Sequence, residues 1–577
     1  MRSKILFCLA LFVLASTPAQ AQPAIRATNG VVNASSSLPD VASGSWFVIF
    51  GTGLGPANIS VQNAPPYLTS LSQTSITFKP AAGGASISAL MYYTLATQVA
   101  GMLPSSAPAG AYNVTVTYNG QTSAASPVNV VARNFGYATQ ASDGLGPAQA
   151  TYGGFDLNRF TTGTLGQWSL RPASPGDAMV LWGTGLGACP ASDVNGGTCG
   201  DQTAAAAVSV LVDGIAVTPA YAGRSGGSPG LDQINFTVPS NLTPSCFVSL
   251  QVSAGGRLSN LGSIAVVSAG QTACTSRALT QAQLQTLDMG GTLNIGSFHL
   301  GKSSTTLTVD GHSNVQERTD TVSSWFGKYT VDAVGTADFV YLQPGACFLT
   351  QRTGTIDELA TGVAPPTVLD AGAQLTLNGP NASNTAIPRQ SNDGYYATLY
   401  STGLAGIGAT GGSPVLAQGT YTISGTGGAD IGVFSASVGL PGDFVWTNES
   451  TIANPIPRAS PLTVTWTGGE GGLVSLVGAA LTEVGGTPPN ATYYTVGFNC
   501  TALASAGSLT VPSNILQQVP AVAGDAGGTS FGLLSLIAEP DPGQGQGVFS
   551  APLTAGGNID QGILSSGVVF IQSIGFN

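Results

Sequence analysis

Gly183-Thr-Gly185-Leu-Gly187-Ala188 matches G-x-G-x-x-A, the turn that cradles a dinucleotide pyrophosphate. That chemistry needs the turn between a parallel strand and a helix whose N-terminus faces the phosphates. Met179 to Trp182 reads as the strand, but CPASDVNGGTCGD, from Cys189, reads as loop. A near copy, GTGLGP, begins at Gly51 and places Pro56 where the third small residue belongs. The chain shows no strand–helix alternation. Both segments therefore read as turns whose glycines permit positive φ and a tight strand crossing, and no cofactor is expected.

Gly223-Arg-Ser225-Gly-Gly227 fits the nucleophile-elbow pattern G-x-S-x-G. An elbow needs a helix after the serine, and Pro229-Gly230 denies one. The candidate bases are His299 and His312. On adjacent strands their rings could meet beside Asp310 in a weak metal site or pH-sensitive contact. More simply, Asp310-Gly311 is a hairpin turn with His312 beside it, and no metal is expected. A glycosidase needs two carboxyls about 5–10 Å apart. Asp357, Glu358, Glu449, Glu470 and Glu483 are scattered, and Glu539 and Asp541 sit in a Pro/Gly loop that reads as solvated. No catalytic residue is assigned. Aromatic rings could stack on pyranose faces. Tyr395, Tyr396 and Tyr400 in DGYYATLYSTG are the candidate ligand contacts, with Tyr493, Tyr494, Trp446 and Trp466 as further aromatic pairs. The competing role for strand aromatics is core packing.

The N-terminus places this chemistry outside the cell. Arg2 and Lys4, an apolar run from Ile5 to Ala15 and Ala19-Gln20-Ala21 read as a secretory signal peptide over residues 1–21. The leader holds two of the 16 Lys+Arg and none of the 27 Asp+Glu, so the remaining chain carries −13. An acidic chain argues against nucleic acid and anionic membranes as partners. Charged residues are 7%, against roughly 25% on average, so the surface is built mainly from neutral polar groups. No later stretch is long and apolar enough for a transmembrane helix. Six of the seven cysteines follow the leader, an even count that suggests disulfides in an exported chain. Cys189 and Cys199 close a short Gly-rich loop. Cys246 and Cys274 fall at the two ends of a strand pair, which leaves Cys347 for Cys500.

The elements are short strands. YNVTVTYNG puts Tyr112, Val114, Val116 and Tyr118 on one face. Asn119-Gly120 and Asp213-Gly214 suit two-residue hairpin turns. A helix is expected at Ser276–Leu287 with Ser276 as N-cap, and a short helical turn after Ser513. Three features recur in order: GTGLG at Gly51 and Gly183, QVAGMLP at Gln98 and QINFTVP at Gln233, and aromatic-led strands at Tyr112 and Phe247. Two copies of one module follow.

PGDAMVLWGTGLG, VSVLVDGIAVTPAYAG, LDQINFTVP and VSLQVSAGGRLSN together resemble the immunoglobulin-like IPT/TIG domain, in the variant found in secreted acidobacterial proteins. GSWFVIFGTGLGP opens a more divergent copy, and the likeness covers roughly residues 30–270. It implies an early-set immunoglobulin sandwich used as an adhesive, spacer or accessory module. The expected chain is all-β, with tandem immunoglobulin-like sandwiches. Its parts are a leader (1–21), two modules (22–134 and 135–274), a β-rich region (275–365) and a β-sandwich region (366–577) that could join the preceding one. GVVFIQSIGFN, from Gly567, reads as a final sandwich strand rather than a membrane-barrel strand. The expected function is non-catalytic adhesion or interaction at the cell surface or in the medium, with an extracellular protein or polysaccharide as partner. The alternatives are an envelope spacer without a ligand, or an extracellular hydrolase with its site in 275–577.

Overall fold

A computed structural model describes residues 22–577 except 28–29, 154–155, 337–342, 356–366, 392, 404–408, 441, 443, 470, 486–490 and 545. The leader, Asp357, Glu358, Glu470 and the ATGVAPPTV stretch near Pro365, whose sequence reads as a linker or a long turn, lie wholly or largely outside the described residues. The rest is all-β: seven sheets arranged as two sandwiches and a larger C-terminal body.

In the first sandwich, Trp46–Thr52, Gln98–Met102, Leu90–Thr94 and Ser60–Val61 run in that order across one sheet. Ser126–Val131, Gly110–Tyr118 and Thr74–Pro80 form the other. Val31–Asn33 pairs with the first sheet, then Val41–Ala42 crosses to pair in parallel with Ser126–Val131. Two such sheets sharing the leading segment make an immunoglobulin-like sandwich. Tyr112, Val114 and Val116 all point into the core, as alternation requires. In the second sandwich Ala178–Thr184, Asp232–Thr237 and Tyr221–Arg224 face Ser209–Val212 and Val248–Ala254. The repeat is reproduced in register: Phe50 opposes Gln98 as Trp182 opposes Gln233.

The GTGLG turns are tight for a steric reason. A Cβ on Gly51 would lie 2.1 Å from the Ala24 carbonyl oxygen, and one on Gly183 would lie 2.1 Å from that of Gly136. Each turn holds the strand by which the chain enters its own sandwich. In the second copy the amides that would cradle a phosphate are already used. Gly185 and Leu186 donate to the Asp232 carboxylate, the latter at 2.8 Å. Helix Ser192–Asn195 lies beyond the turn and is one turn long.

Asp232 also faces Arg224 across the strand pair, at 2.7 Å, with both side chains 1% exposed. Arg224 Nη2 donates to Gly44 O of the first sandwich and to Gly187 O, each at 2.9 Å. Asp193, inside the loop closed by Cys189–Cys199, accepts from Ser105 N and Ser105 Oγ. The two sandwiches are therefore joined by charge-assisted bonds in a dry interface.

The C-terminal body is built on a ten-stranded sheet. Its first strand, Leu293–Val309, pairs in parallel with its last, Gln561–Ser573, so residues on both sides of position 365 share one sheet. A four-stranded sheet, Gln374–Gly379 to Phe434–Leu440, packs Phe434 against Phe298 and Phe326. A three-stranded sheet closes a second core around Trp446, Trp466 and Phe498. The helix is Gln281–Asp288, capped by Thr280 in a capping box with Gln283. Ser276 is not the cap, because its Oγ accepts from Ala278 and Leu279 in the turn before the helix. Its last residue, Asp288, accepts from Phe160 N and Thr161 N and ties the helix to the second sandwich. A helical turn follows at Ser513–Leu516. No helix among the described residues is long and apolar enough to cross a membrane.

Three disulfides are present: Cys189–Cys199, Cys246–Cys274 and Cys347–Cys500. Cys347 and Cys500 face each other on adjacent strands of the large sheet. Where the body meets the second sandwich, alternation gives way. All seven residues of Val248–Ala254 are buried, and the Gln251 side chain accepts from Leu349 N at 3.1 Å. The Asp213-Gly214 turn, with φ of 51° and 73°, points into the same joint. Gly214 O accepts from Asn514 at 2.9 Å, and a Cβ on Gly214 would lie 2.6 Å from Cys347 O. Burial pushes the Asp213 carboxyl up to about 6, partly countered by a hydrogen bond from the Cys347 amide.

Two outcomes follow from these joints. Replacing Arg224 by Met leaves Asp232 as an unpaired buried charge, a loss of about 3–5 kcal/mol. Trypsin should then cut after Arg133, in the linker between the sandwiches, much faster than in the parent. An unchanged cleavage rate would show that the pair does not hold the joint. Asp213, with its folded-state carboxyl raised from 3.8 to about 6, disfavours the folded state increasingly as pH rises through that window. At about 1.4 kcal/mol per unit, the cost above pH 6 approaches about 3 kcal/mol. Asp213→Asn keeps a turn-compatible residue, so it should raise the unfolding midpoint at pH 7.5. The gain should vanish near pH 4, and a gain independent of pH would contradict this origin.

Candidate functional site

The structure disperses most of the residues that could do chemistry. Ser225 lies between strand Tyr221–Arg224 and a turn, its amide bonded to Leu231 O. His299 and His312 do not meet. His299 lies opposite Ser323 in mid-hairpin and contacts Ser565 at 2.9 Å, while His312 sits at the tip, opposite Val309. The separation arises because the two strands are 17 and 18 residues long, so positions flanking the turn diverge along the hairpin. Asp541 is buried and paired with Arg277, not solvated. Asp143 and Asp332 touch, and burial, followed by that contact, raises the Asp143 carboxyl. They do so in a closed joint, where a Cβ on Gly146 would lie 2.9 Å from Asp332 Cα. That leaves no space for the sugar a glycosidase pair must straddle.

The tyrosine trio is divided by the pleat. Tyr395 is 2% exposed, and its hydroxyl donates to Gly372 O and accepts from Ala371 N, so it is a core residue and not a ligand contact. Tyr396 is exposed on the opposite face, with its hydroxyl on Thr398. Tyr400 is half-buried opposite Asp320, beyond a bulge. Trp446, Trp466 and Tyr493 are buried as well.

An aromatic cluster forms elsewhere, on the outer face of the first sandwich. Trp46 packs edge-on against Tyr67 at 5.1 Å between ring centroids and against Tyr92 at 5.1 Å. Tyr92 in turn contacts Tyr93 at 5.7 Å. Neighbouring residues on a strand should point to opposite faces. A register shift between Met91 and Tyr93 inserts Tyr92 as an extra residue, so both tyrosine rings lie together while Met91 stays in the core. Val61 lies across from Tyr93 on the edge strand Ser60–Val61, with Ile59 two residues away on the same side. Ile59 is 58%, Leu68 59% and Tyr92 38% exposed.

The loop carrying Tyr67 and Leu68 is held by its own backbone and by Gln62. Gln62 N donates to Tyr92 O at 2.8 Å, and Met91 N donates to Leu68 O at 2.7 Å. The Gln62 side chain bonds Pro66 O and Leu68 N. Trp46 is held by the second sandwich: its amide donates to Thr184 Oγ1 at 2.9 Å and its indole to Pro229 O at 2.8 Å. Burial, then the neighbouring Tyr92 phenol, raises the Tyr67 and Tyr93 hydroxyls above the usual phenol range. The patch is thus aromatic and held by hydrogen bonds from two sides, with Arg26 stacked over Phe50 of the same sheet face, 5.0 Å from the ring centroid. Sequence reading missed it. The signal available was the tandem pair in MYYT, at Met91–Thr94, whose shared face depends on a bulge.

No protein-family model matches the chain, and no curated protein matches it. Among solved structures it is similar to SGBP-B of the Bacteroides ovatus mixed-linkage glucan utilization locus, in complex with a mixed-linkage heptasaccharide. The identity is 12%, covering 85% of this chain and 97% of that one, with a TM-score of 0.13. It is also similar to SGBP-B from a complex xyloglucan utilization locus in Bacteroides uniformis, at 8% identity over 96% and 99% of the two chains, TM-score 0.15. Domains 5–6 of the S-layer protein SbsC align at 12% identity over 43% and 99%, TM-score 0.15.

Proposed function

We propose that this chain is a non-catalytic extracellular binding protein, with its immunoglobulin-like sandwiches serving as IPT/TIG-type adhesive modules. It contacts a neutral polysaccharide through Tyr67, Tyr92 and Tyr93. The observation that carries the reading is the clustering of these rings with Trp46 on one partly exposed sheet face. Large exposed apolar patches on soluble proteins mark interaction sites. Exposed aromatic faces offer C–H-rich sugar rings a stacking surface, and the stacking rings themselves carry no charge. The three disulfides fit an oxidising compartment. The exposed aliphatics Ile59, Val61 and Leu68 favour a second reading, in which the same face meets an apolar patch on a protein.

Binding of the full chain to a panel of neutral and uronic-acid polysaccharides, with product release followed in the same samples, separates these readings. Tyr92→Ala should weaken binding to a neutral glycan about tenfold, a change of about 1.4 kcal/mol. Losing the ring's contacts with Trp46, Tyr67 and Tyr93 should cost about 1–2 kcal/mol of stability, so the unfolding midpoint is measured alongside to show that the variant is folded. Release of product would replace the binding reading with an enzyme. Silence across the panel, with Leu68→Lys abolishing capture of a protein ligand, would favour the second reading.

A further inference from the structure

A groove of about 280 Å³ opens between the second sandwich and the C-terminal body. Asp213, Asn241 and Thr243 line it from the sandwich, and Gly345, Thr510 and Pro512 from the body. The Asp213 carboxyl also borders a water-sized cavity of about 10 Å³ beside it. Its identified partner is the Cys347 amide, and among the described residues no cation faces it. Among the described residues Asp213 is the only titratable group lining either space, since Cys347 is disulfide-bonded.

The turn itself does not require a carboxylate. Asn119-Gly120 makes a turn of the same geometry after a different strand, in the first sandwich, with φ of 48° and 79° against 51° and 73° at Asp213-Gly214. An asparagine at 213 would keep the bond from the Cys347 amide and avoid the cost of desolvating a charge. The carboxylate is therefore unfavourable for the joint and available to a ligand. Three other partly buried acids are matched by a cation: Asp232 by Arg224, Asp541 by Arg277 and Asp177 by Arg171. Asp213 is matched by open space.

We infer that this groove is a binding site for a small organic ammonium ligand, whose cationic nitrogen pairs with Asp213 while its polar groups meet Asn241, Thr243 and Thr510. The volume lies just below the usual range of small-molecule pockets, about 300–1,000 Å³, so the occupant is no larger than one sugar ring or one amino acid. A single carboxylate ringed by neutral groups is a poor metal site, because hard cations take six or more oxygen ligands. It suits one ammonium group, which brings the missing charge and three donors. The site is separate from the aromatic face and does not depend on its role.

The test uses the full chain at pH 7.5, with glucosamine, ethanolamine and methylammonium as probes and glucose as the neutral control. Equilibrium binding and the ligand-induced shift in unfolding midpoint are measured together. Saturable millimolar binding of at least one ammonium probe is expected, without binding of glucose. Asp213→Asn should weaken it at least tenfold. Because the variant should be more stable at this pH, lost binding cannot be attributed to unfolding. Affinity in the parent should also fall as pH drops from 7 to 5, as Asp213 takes up a proton. No saturation by any ammonium probe up to 100-fold above the expected range, or equal binding by parent and variant, would overturn the site.

Discussion

Arg224 and Asp232 meet at 2.7 Å in a joint so dry that each side chain is 1% exposed. A pair removed from water in this way is stabilised by bonds to its other donors and acceptors, and here all but Arg224 Nε are engaged. The guanidinium reaches Gly44 O and Gly187 O, and the carboxylate takes the amides of Gly185 and Leu186. One ion pair thus fixes the GTGLG turn, two strands of the second sandwich and the turn that leads into Trp46. The aromatic face depends on it, because Trp46 is oriented by Thr184 and Pro229, which flank the same joint. The groups that would bind a foreign anion in a phosphate loop here bind the protein's own carboxylate.

The same economy recurs along the chain. With 7% charged residues there are few ions to place, and several are used where one unit meets the next. Arg277 and Asp541 connect the segment after the second sandwich to a C-terminal loop. Asp288 ends a helix in the body and caps the Phe160–Thr161 backbone of the second sandwich. Asp40 and Arg257 pair between the two sandwiches. Low charge density leaves the exterior largely to Ser, Thr, Asn and Gly, a surface with little long-range electrostatic field. Asp213 departs from this pattern as an acid in a joint that faces no cation among the described residues, as does the Asp143–Asp332 pair.

The modules also differ in how much of themselves they offer to solvent. The first keeps one outer sheet face open, where a bulge gathers aromatic rings. The second has the outer face of its other sheet occupied: strand Val248–Ala254 is buried on both sides, with strand Cys347–Thr355 docked over it. A repeated fold has been put to two uses, one copy presenting a surface and the other serving as a coupling to the body.

What residue order decided unaided was local. The Asn119-Gly120, Asp213-Gly214 and Asp310-Gly311 turns were legible because both central residues must take positive φ, which few residue types tolerate. Period-two alternation placed Tyr112, Val114 and Val116 on one face, and matched residues at Gly51/Gly183 and Gln98/Gln233 exposed the duplication. Alternation could also say that Tyr395 and Tyr396 point opposite ways. It could not say which one meets a core, since that depends on the four-stranded sheet packed against it. The contacts that build the candidate sites were decided only in three dimensions. Trp46 and Tyr92 are 46 residues apart, the second tyrosine turns outward through a bulge, and Asp213 faces a groove because a distant body docks there. Turn geometry and side-chain alternation are set by neighbouring residues, whereas burial and cavity shape are set by whichever surfaces later come together.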